Sequence, residues 1–358
     1  MVVAAGGTGG HMAPALAVAE ELVDRGAVVS FVTTPSQRPL VEGTYQTYEL
    51  AMRGFERRPF ARQNVTTVRQ LAAAAPRAWR HLSAARPRAV VGGGGYVSGP
   101  VVALAAARGI PTIAMEADSH LGVTNRLLRP YVRRLCLSFP IEGLGEPKAV
   151  VTGRPLARAQ TAATAEEGRE VFGLGAELPT VLVFGGSQGA QSLNRACVTA
   201  FARPHLEVQV VHVCGPRNHD EVSAAVDASG VSLERYHLVA YTDRLAAAMA
   251  AADLVVGRSG GSVAEIAALG RPAILVPYPY ASADHQRKNA EWMAHGGAAI
   301  VVDDADLDGE RLRALVEELL VDEERRSRMA AASKALGRPD ATALVVDQVE
   351  RLLEERGT

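Results

Sequence analysis

Two doubly wound α/β domains in series are what this 358-residue sequence predicts, from three observations. Short β-branched runs alternate with Ala/Leu-rich helical patterns along the whole chain, which implies parallel sheets covered by helices on both faces. The alternation is interrupted once, by a Pro/Ala/Thr-rich stretch from Gly153-Arg-Pro155 to about Gly168. Each of the two sets opens on a strand that runs into a glycine turn and then a helix: Gly6-Gly-Thr-Gly-Gly-His11 in the first, Gly185-Gly-Ser-Gln-Gly189 in the second. In such folds ligands sit at the carboxyl ends of the strands.

In chain order, the apolar run 2–5 precedes the first glycine turn, and the helical pattern 14–22 follows it. Residues 28–33, 89–91, 112–115, 135–137 and 149–151 read as the other strands of the first set. Residues 180–184, 208–213, 237–239, 254–256, 273–276 and 299–302 read as strands of the second. The expected division is 1–152 and 153–340, with a final helix at 341–358 packing back on the first domain after the turn at Gly337-Arg-Pro339. The first strand is short, which raises the expectation of a start upstream of Met1.

Composition sets the class. Apolar residues make up 48 % and charged residues 22 %, as in an ordinary soluble protein. Cys136, Cys197 and Cys214 form no CxxC pair, so a disulfide framework or zinc site is not expected and a reducing compartment fits. No basic-then-apolar leader opens the chain. The uncharged run 89–107 is long enough for a bilayer, but its five glycines and Pro100 break any continuous helix. Net charge of −1 conceals an asymmetry: residues 1–152 hold 17 Lys+Arg against 10 Asp+Glu, and the remainder 21 against 29. Arginines 53, 57, 58, 62, 69, 77, 80, 86 and 88 crowd a segment whose one acid is Glu56. This is either a solvated basic face or one that meets an anionic surface. Leu71, Ala75, Trp79 and Leu82 recur at helical spacing within it, although Pro76 is expected to interrupt the helix. Such a stripe is core, or, if Trp79 and Leu82 are exposed, a membrane contact.

Several motifs carry chemistry. The four glycines of the first turn let backbone fold tightly under a ligand, and the following helix aims free N–H groups at it. His11 adds a ring that can move a proton near neutral pH. The turn around Ser187 is neither GxGxxG nor a Walker loop; it suits a phosphate or is a tight structural turn. In Arg258-Ser-Gly-Gly-Ser262-Val-Ala-Glu265, the carboxylate can accept from vicinal hydroxyls of a ribose, yet Ser262 and Glu265 also fit an S-x-x-E capping box. Gln286 and Asn289, after Pro277-Tyr-Pro-Tyr280, can read sugar hydroxyls or merely open a helix. Glu116 and Asp118 can hold a catalytic group or an acceptor, or cap the helix near residue 121. The Asp303-Asp-Ala-Asp306 cluster reads as a turn and cap rather than a metal site.

Taken in order, the segments 6–11, 93–100, 124–128, 185–194, 258–269 and 284–289 resemble the MurG family, nearly end to end. That family comprises the membrane-associated GlcNAc transferases of peptidoglycan synthesis, with a GT-B fold of two Rossmann-like domains facing a cleft. The resemblance implies UDP-GlcNAc as donor and lipid I as acceptor, giving lipid II and UDP with inversion. It places Glu265 on the ribose, the Thr242 backbone on uracil, Ser187, Gln188 and Gly189 on the diphosphate, and Gly261, Ser262 and Val263 beside the nucleotide. Gln286 and Asn289 would meet GlcNAc; Thr8, Gly9 and Gly10 would face donor and acceptor. His11 is the expected base, with Glu116 and Asp118 as fallbacks, while Tyr96 and Asn125 handle the acceptor. No protein-bound metal or other cofactor is expected, although magnesium in solution can pair with the diphosphate. Peripheral contact with the cytoplasmic face of an anionic bacterial membrane is implied, and no nucleic acid.

The chain departs from the family pattern in three places. The His-Glu-Gln-Asn stretch is Met115-Glu-Ala-Asp118, and the Gly-Asn-Pro-Val-Arg hinge reads Gly153-Arg-Pro-Leu-Ala157, leaving Arg154 or Arg158 to replace its arginine. The 258–265 segment is one residue shorter than in some members. Three rivals therefore stand beside this reading: a GT-B transferase with another acceptor, a UDP-sugar epimerase, and a nucleotide-sugar-binding protein without turnover.

Overall fold

The computed structural model describes residues 1–7, 9–52, 62–204, 206–232 and 234–355, apart from the side chains of residues 62–68, 71, 72 and 282. Arg53, Arg57 and Arg58 of the basic segment, and the side chains of Arg62 and Leu71, lie outside this description, as does Thr8. The chain divides into two compact units: Met1–Ala157 with Pro339–Thr358, and Arg158–Arg338.

The first unit holds seven strands, β1 (Val2–Ala4), β2 (Ser30–Thr33), β3 (Gln46–Glu49), β4 (Val90–Gly92), β5 (Thr112–Glu116), β6 (Arg134–Leu137) and β7 (Ala149–Val151). All pair in parallel, in the order β3-β2-β1-β4-β5-β6-β7. Helices α1 (Gly9–Asp24), α2 (Arg62–Ala85), α3 (Gly95–Ala107) and α4 (Val123–Leu128) cross between them. Two apolar clusters form, one gathering Val2, Val90 and Val101, the other Val3, Val91 and Met12. Alternate residues of one strand go to opposite clusters, as a sheet covered on both faces requires.

In the second unit, helices α5 (Arg158–Thr161), α6 (Ala165–Phe172), α7 (Gln191–Phe201), α8 (His219–Ser229), α9 (Leu245–Ala251), α10 (Val263–Ala268), α11 (His285–His295), α12 (Gly309–Val321) and α13 (Glu323–Leu336) surround six strands. These are β8 (Thr180–Phe184), β9 (Gln209–Val213), β10 (Tyr236–Val239), β11 (Leu254–Gly257), β12 (Ala273–Leu275) and β13 (Ala299–Val301), ordered β10-β9-β8-β11-β12-β13 and all parallel. Each sheet reverses its strand order once, at β1/β4 and at β8/β11. Those reversals open the crevices where doubly wound sheets take ligands.

Helix α14 (Ala341–Glu354) sends Val345, Val346, Val349 and Leu352 into the cluster that contains α1 residues Met12, Val18 and Leu22. Arg25, just after α1, binds Asp347 at 2.7 Å and Glu350 at 2.8 Å. The segment after β7 also stays with the first unit, because the Leu156 N–H donates to Thr342 Oγ1 at 3.0 Å. The unit boundary thus falls after Ala157, a few residues beyond the expected 152.

Three expectations need correction. β3 is a strand beyond those the sequence pattern predicts: Gln-Thr-Tyr-Glu at a sheet edge has no apolar run to announce it. Helix α2 continues through Pro76. Proline removes a single i→i−4 bond there, and Ala74, Ala78 and Leu82 anchor the helix in the core on both sides of it. Trp79 and Leu82 do not share an environment. Leu82 is 0 % exposed, whereas Trp79 is 48 % exposed with the Arg108 guanidinium 4.7 Å from its ring centroid. Cys136, Cys197 and Cys214 are buried free thiols.

Candidate active site

At the β1/β4 reversal the first glycine turn lies against a second one. Gly94 and Gly95 have φ of +89° and +74°, a region that side chains disfavour. A Cβ on Gly95 would overlap the Gly6 carbonyl, and one on Gly94 would stand 2.7 Å from Cδ2 of His11. The two turns therefore interlock, with the imidazole packed on bare backbone. His11 lies in the first turn of α1, which starts at Gly9 and not at Pro14 as the apolar pattern suggested. Gly9 and Gly10 are exposed ahead of it. The Gly7 N–H donates to Oε1 of Gln37 at 2.9 Å, a support that nothing in the sequence marked. The Tyr96 ring lies under Gly7, 3.0 Å from where a Cβ would be.

Glu116 ends β5 and is 4 % exposed. Its Oε2 accepts from the Gly122 N–H at 2.9 Å and from Asn125 Nδ2 at 3.0 Å, and its Oε1 from the Asp118 N–H at 3.2 Å. Asn125 Nδ2 also donates to Met115 O at 2.8 Å. Burial raises the Glu116 carboxyl, and these donors pull it back. Glu116 and Asn125 thus brace the loop 116–125 from inside, which gives neither an open position toward solvent. Asp118 is only half-buried and acts on His11. Burial holds the His11 pKa below its ordinary value; Asp118 opposes that shift and the Arg154 cation adds to it.

In the second unit, the Gly189 N–H donates to Gly186 O at 2.9 Å, closing a turn that leaves Ser187 and Gln188 exposed. Helix α7 follows directly, and its N-cap, Ala190, makes no side-chain cap. Its first N–H groups are therefore available to an anion. Across the β8/β11 reversal, Arg258 is buried. It donates from Nη1 to Val276 O at 3.1 Å and from Nη2 to Ser192 Oγ at 2.9 Å, and pairs with Asp304 at 2.6 Å. Ser192 Oγ donates to the same carboxylate at 2.6 Å. The acidic cluster is thus a short turn whose Asp304 and Asp303 pair with Arg258 and Arg287. Among the described residues no group of three or more His, Cys, Asp or Glu could hold a metal.

The Ser262 hydroxyl does not form its half of the capping box. Ser262 is helical, φ −62° and ψ −16°, and its hydroxyl turns back to Arg258 O at 3.5 Å instead of capping α10. Glu265 stands half-buried in the first turn of that helix, beside Gly261 and Ser262, while the Val263 side chain is in the core. Gln286 Oε1 accepts from the Tyr278 N–H at 3.0 Å, and Ser259 Oγ donates to Gln286 O at 2.7 Å. Asn289 is 1 % exposed; its Nδ2 donates to Ser259 O at 3.1 Å, and its buried Oδ1 has no hydrogen-bond partner among the described residues. Thr242 Oγ1 accepts from the Arg244 N–H at 2.9 Å, which turns the chain before α9.

Known proteins match both units. The glycosyltransferase family 28 N-terminal domain matches residues 1–136 and the C-terminal domain residues 180–345. A UDP-N-acetylglucosamine--N-acetylmuramyl-(pentapeptide) pyrophosphoryl-undecaprenol N-acetylglucosamine transferase from Halothermothrix orenii is 36 % identical over 98 % of each chain. The crystal structure of MurG from Acinetobacter baumannii superposes with a TM-score of 0.79 at 28 % identity, over 98 % of this chain and 99 % of that one. A UDP-GlcNAc 2-epimerase from Neisseria meningitidis, bound to UDP-GlcNAc, shares the fold at a TM-score of 0.70 but only 13 % identity, over 98 % of this chain and 99 % of that one. With both family domains present in order and a full-length relative at this identity, the chain belongs to the MurG family within glycosyltransferase family 28.

Proposed function

We propose that this chain moves GlcNAc from UDP-GlcNAc to the C4 hydroxyl of MurNAc in lipid I, giving lipid II and UDP with inversion. The acceptor oxygen bonds to the sugar C1 as the bond from C1 to the diphosphate oxygen breaks on the opposite face. His11 takes the hydroxyl proton, and UDP leaves with the bonding electrons. The observation that carries this reading is the pair of glycine-turn sites at the sheet reversals, one holding a histidine and the other an uncapped helix N-terminus. Charge growing on the leaving diphosphate meets N–H groups that are already aimed, so little reorganisation is needed. Glu265, half-buried in the first turn of α10, accepts from the ribose hydroxyls, the role the family resemblance gives it. Gln286 and Asn289 act by shaping the backbone around GlcNAc, and Asp118 steadies the charge that His11 gains.

UDP release from UDP-GlcNAc, measured with and without a lipid I analogue, tests the whole. Release only with acceptor supports transfer; donor consumed without acceptor points to an epimerase. Glu265→Ala is expected to raise the donor KM at least about tenfold, as loss of hydrogen bonds to a substrate does. A fall in melting temperature with unchanged KM would return the residue to a helix-supporting role.

Among the described residues no helix is long and apolar enough to cross a membrane. The peripheral contact therefore needs a surface. Val123, Leu127 and Tyr131 are exposed at four-residue spacing along α4 and its continuation, with Arg126, Arg129 and Arg133 exposed beside them. Apolar side chains rimmed by arginines suit the anionic cytoplasmic face of a membrane. Leu127→Glu with Tyr131→Glu is expected to weaken binding to phosphatidylglycerol vesicles at least about fivefold; unchanged sedimentation with vesicles would discard the patch.

A further inference from the structure

Gly10 carries a carbonyl without its helical partner. The residue four positions along α1 is Pro14, which has no N–H to give. The Arg154 guanidinium stands in for it: Nη2 donates to Gly10 O at 2.7 Å, while Nη1 reaches Ala117 O at 3.4 Å. This side chain is buried and comes from the segment just after β7. It ties together the two pieces of backbone that present His11 and Asp118, since Gly10 precedes the one and Ala117 the other. The sequence comparison with the family marked Arg154 only as a candidate replacement for a hinge arginine. Its contacts assign it a different task.

We propose that Arg154 is a positioning residue for the transfer reaction, replacing the helical donor that Pro14 lacks and holding the His11 turn against the Asp118 loop. The proposal rests on the reading of His11 as the base. A helix start that loses a bond in its first turn can shift by fractions of an ångström, and misplacement of that order costs rate steeply. The same cation also acts on the ring. Among the described residues, the charged groups that act on His11 are Asp118, from the loop after β5, and Arg154, from the segment after β7. The Gly94–Gly95 turn packed on the ring carries no charge, and the Glu116 carboxylate is engaged by Asn125 and two backbone N–H groups. With Arg154 removed, Asp118 is opposed by burial alone and the imidazolium becomes easier to form.

The test uses the full chain with labelled histidine. The His11 resonance is assigned by its loss in His11→Gln, then titrated in Arg154→Gln, in Arg154→Lys and in Arg154→Gln combined with Pro14→Ala. Arg154→Gln should raise the His11 pKa by at least about half a unit and lower kcat roughly tenfold, with donor KM within about twofold. Adding Pro14→Ala restores an N–H four residues beyond Gly10, so kcat should recover by about threefold or more while the raised pKa persists. Arg154→Lys keeps the charge and should leave the His11 titration near that of the wild type. This variant also serves if the glutamine variant unfolds. An unshifted His11 titration with kcat within about twofold in Arg154→Gln would overturn the proposal. Normal turnover in His11→Ala, beside a shifted titration in Arg154→Gln, would instead overturn the base assignment and leave the positioning contact standing.

Discussion

Replacing His11 with alanine is expected to lower turnover by about 100-fold or more while UDP affinity stays within about twofold. The asymmetry follows from placement: the ring belongs to the first unit, and the residues assigned to the nucleotide belong to the second. A general base contributes to the transition state and little to the ground state, so the loss appears in kcat. The pH profile carries the same signature. Burial, the largest influence, and Arg154 both lower the His11 pKa, and Asp118 offsets only part of this, so the neutral imidazole persists below pH 6.5. Because the neutral form is the one that accepts a proton, rate should hold above that pKa and fall as pH drops through it. Stopped-flow or discontinuous assay of UDP release across pH 5–8 checks both points. Near-normal turnover in His11→Ala would remove the residue from the role.

Asp304→Ala is expected to cost the second unit about 3–5 kcal/mol, because it strands a buried guanidinium. Arg258 and Asp304 expose only 9 % and 21 % of their side chains, so solvent offers little compensation. The change also removes the acceptor of the Ser192 hydroxyl, which sits in the first turn of α7 beside the Ser187 turn. Donor KM should therefore rise along with the loss of stability. Asp304→Asn keeps a hydrogen-bond acceptor and loses the charge, so its effect should fall between alanine and wild type. The two tryptophans report separately, Trp292 from the second unit and Trp79 from the first. Denaturant unfolding followed in a Trp79→Phe background isolates the Trp292 transition. A midpoint unchanged from wild type would show that the pair is not holding the β11 tip.

The two glycine turns of the candidate site are legible because glycine announces itself. Runs such as Gly92-Gly-Gly-Gly95 mark backbone that must take positive φ or approach other backbone closely, and both turns at the β1/β4 reversal do so. Partners across loops were not legible. Nothing at Gln37 or Asp304 distinguishes it from any surface polar residue, since hydrogen bonds between residues 30 or more positions apart leave no local pattern. Ser262 and Glu265 show the reverse failure. Their spacing fits a capping box, but the turn at Gly260–Gly261 brings Ser262 into helical geometry, where its hydroxyl points back and not onto the helix N–H groups.

The sequence alone determined the two parallel-sheet units, most of their strands and the two glycine turns. Hydrophobic periodicity and glycine content are local properties, and local properties survive without a fold. Only tertiary structure decided that Leu82 is core while Trp79 is surface, that Asn289 serves backbone, that Gln-Thr-Tyr-Glu pairs at an edge, and that Arg154 completes the helix Pro14 leaves incomplete. Each of these depends on which distant segment lies opposite, and strand order in a sheet is set by the whole chain packing at once.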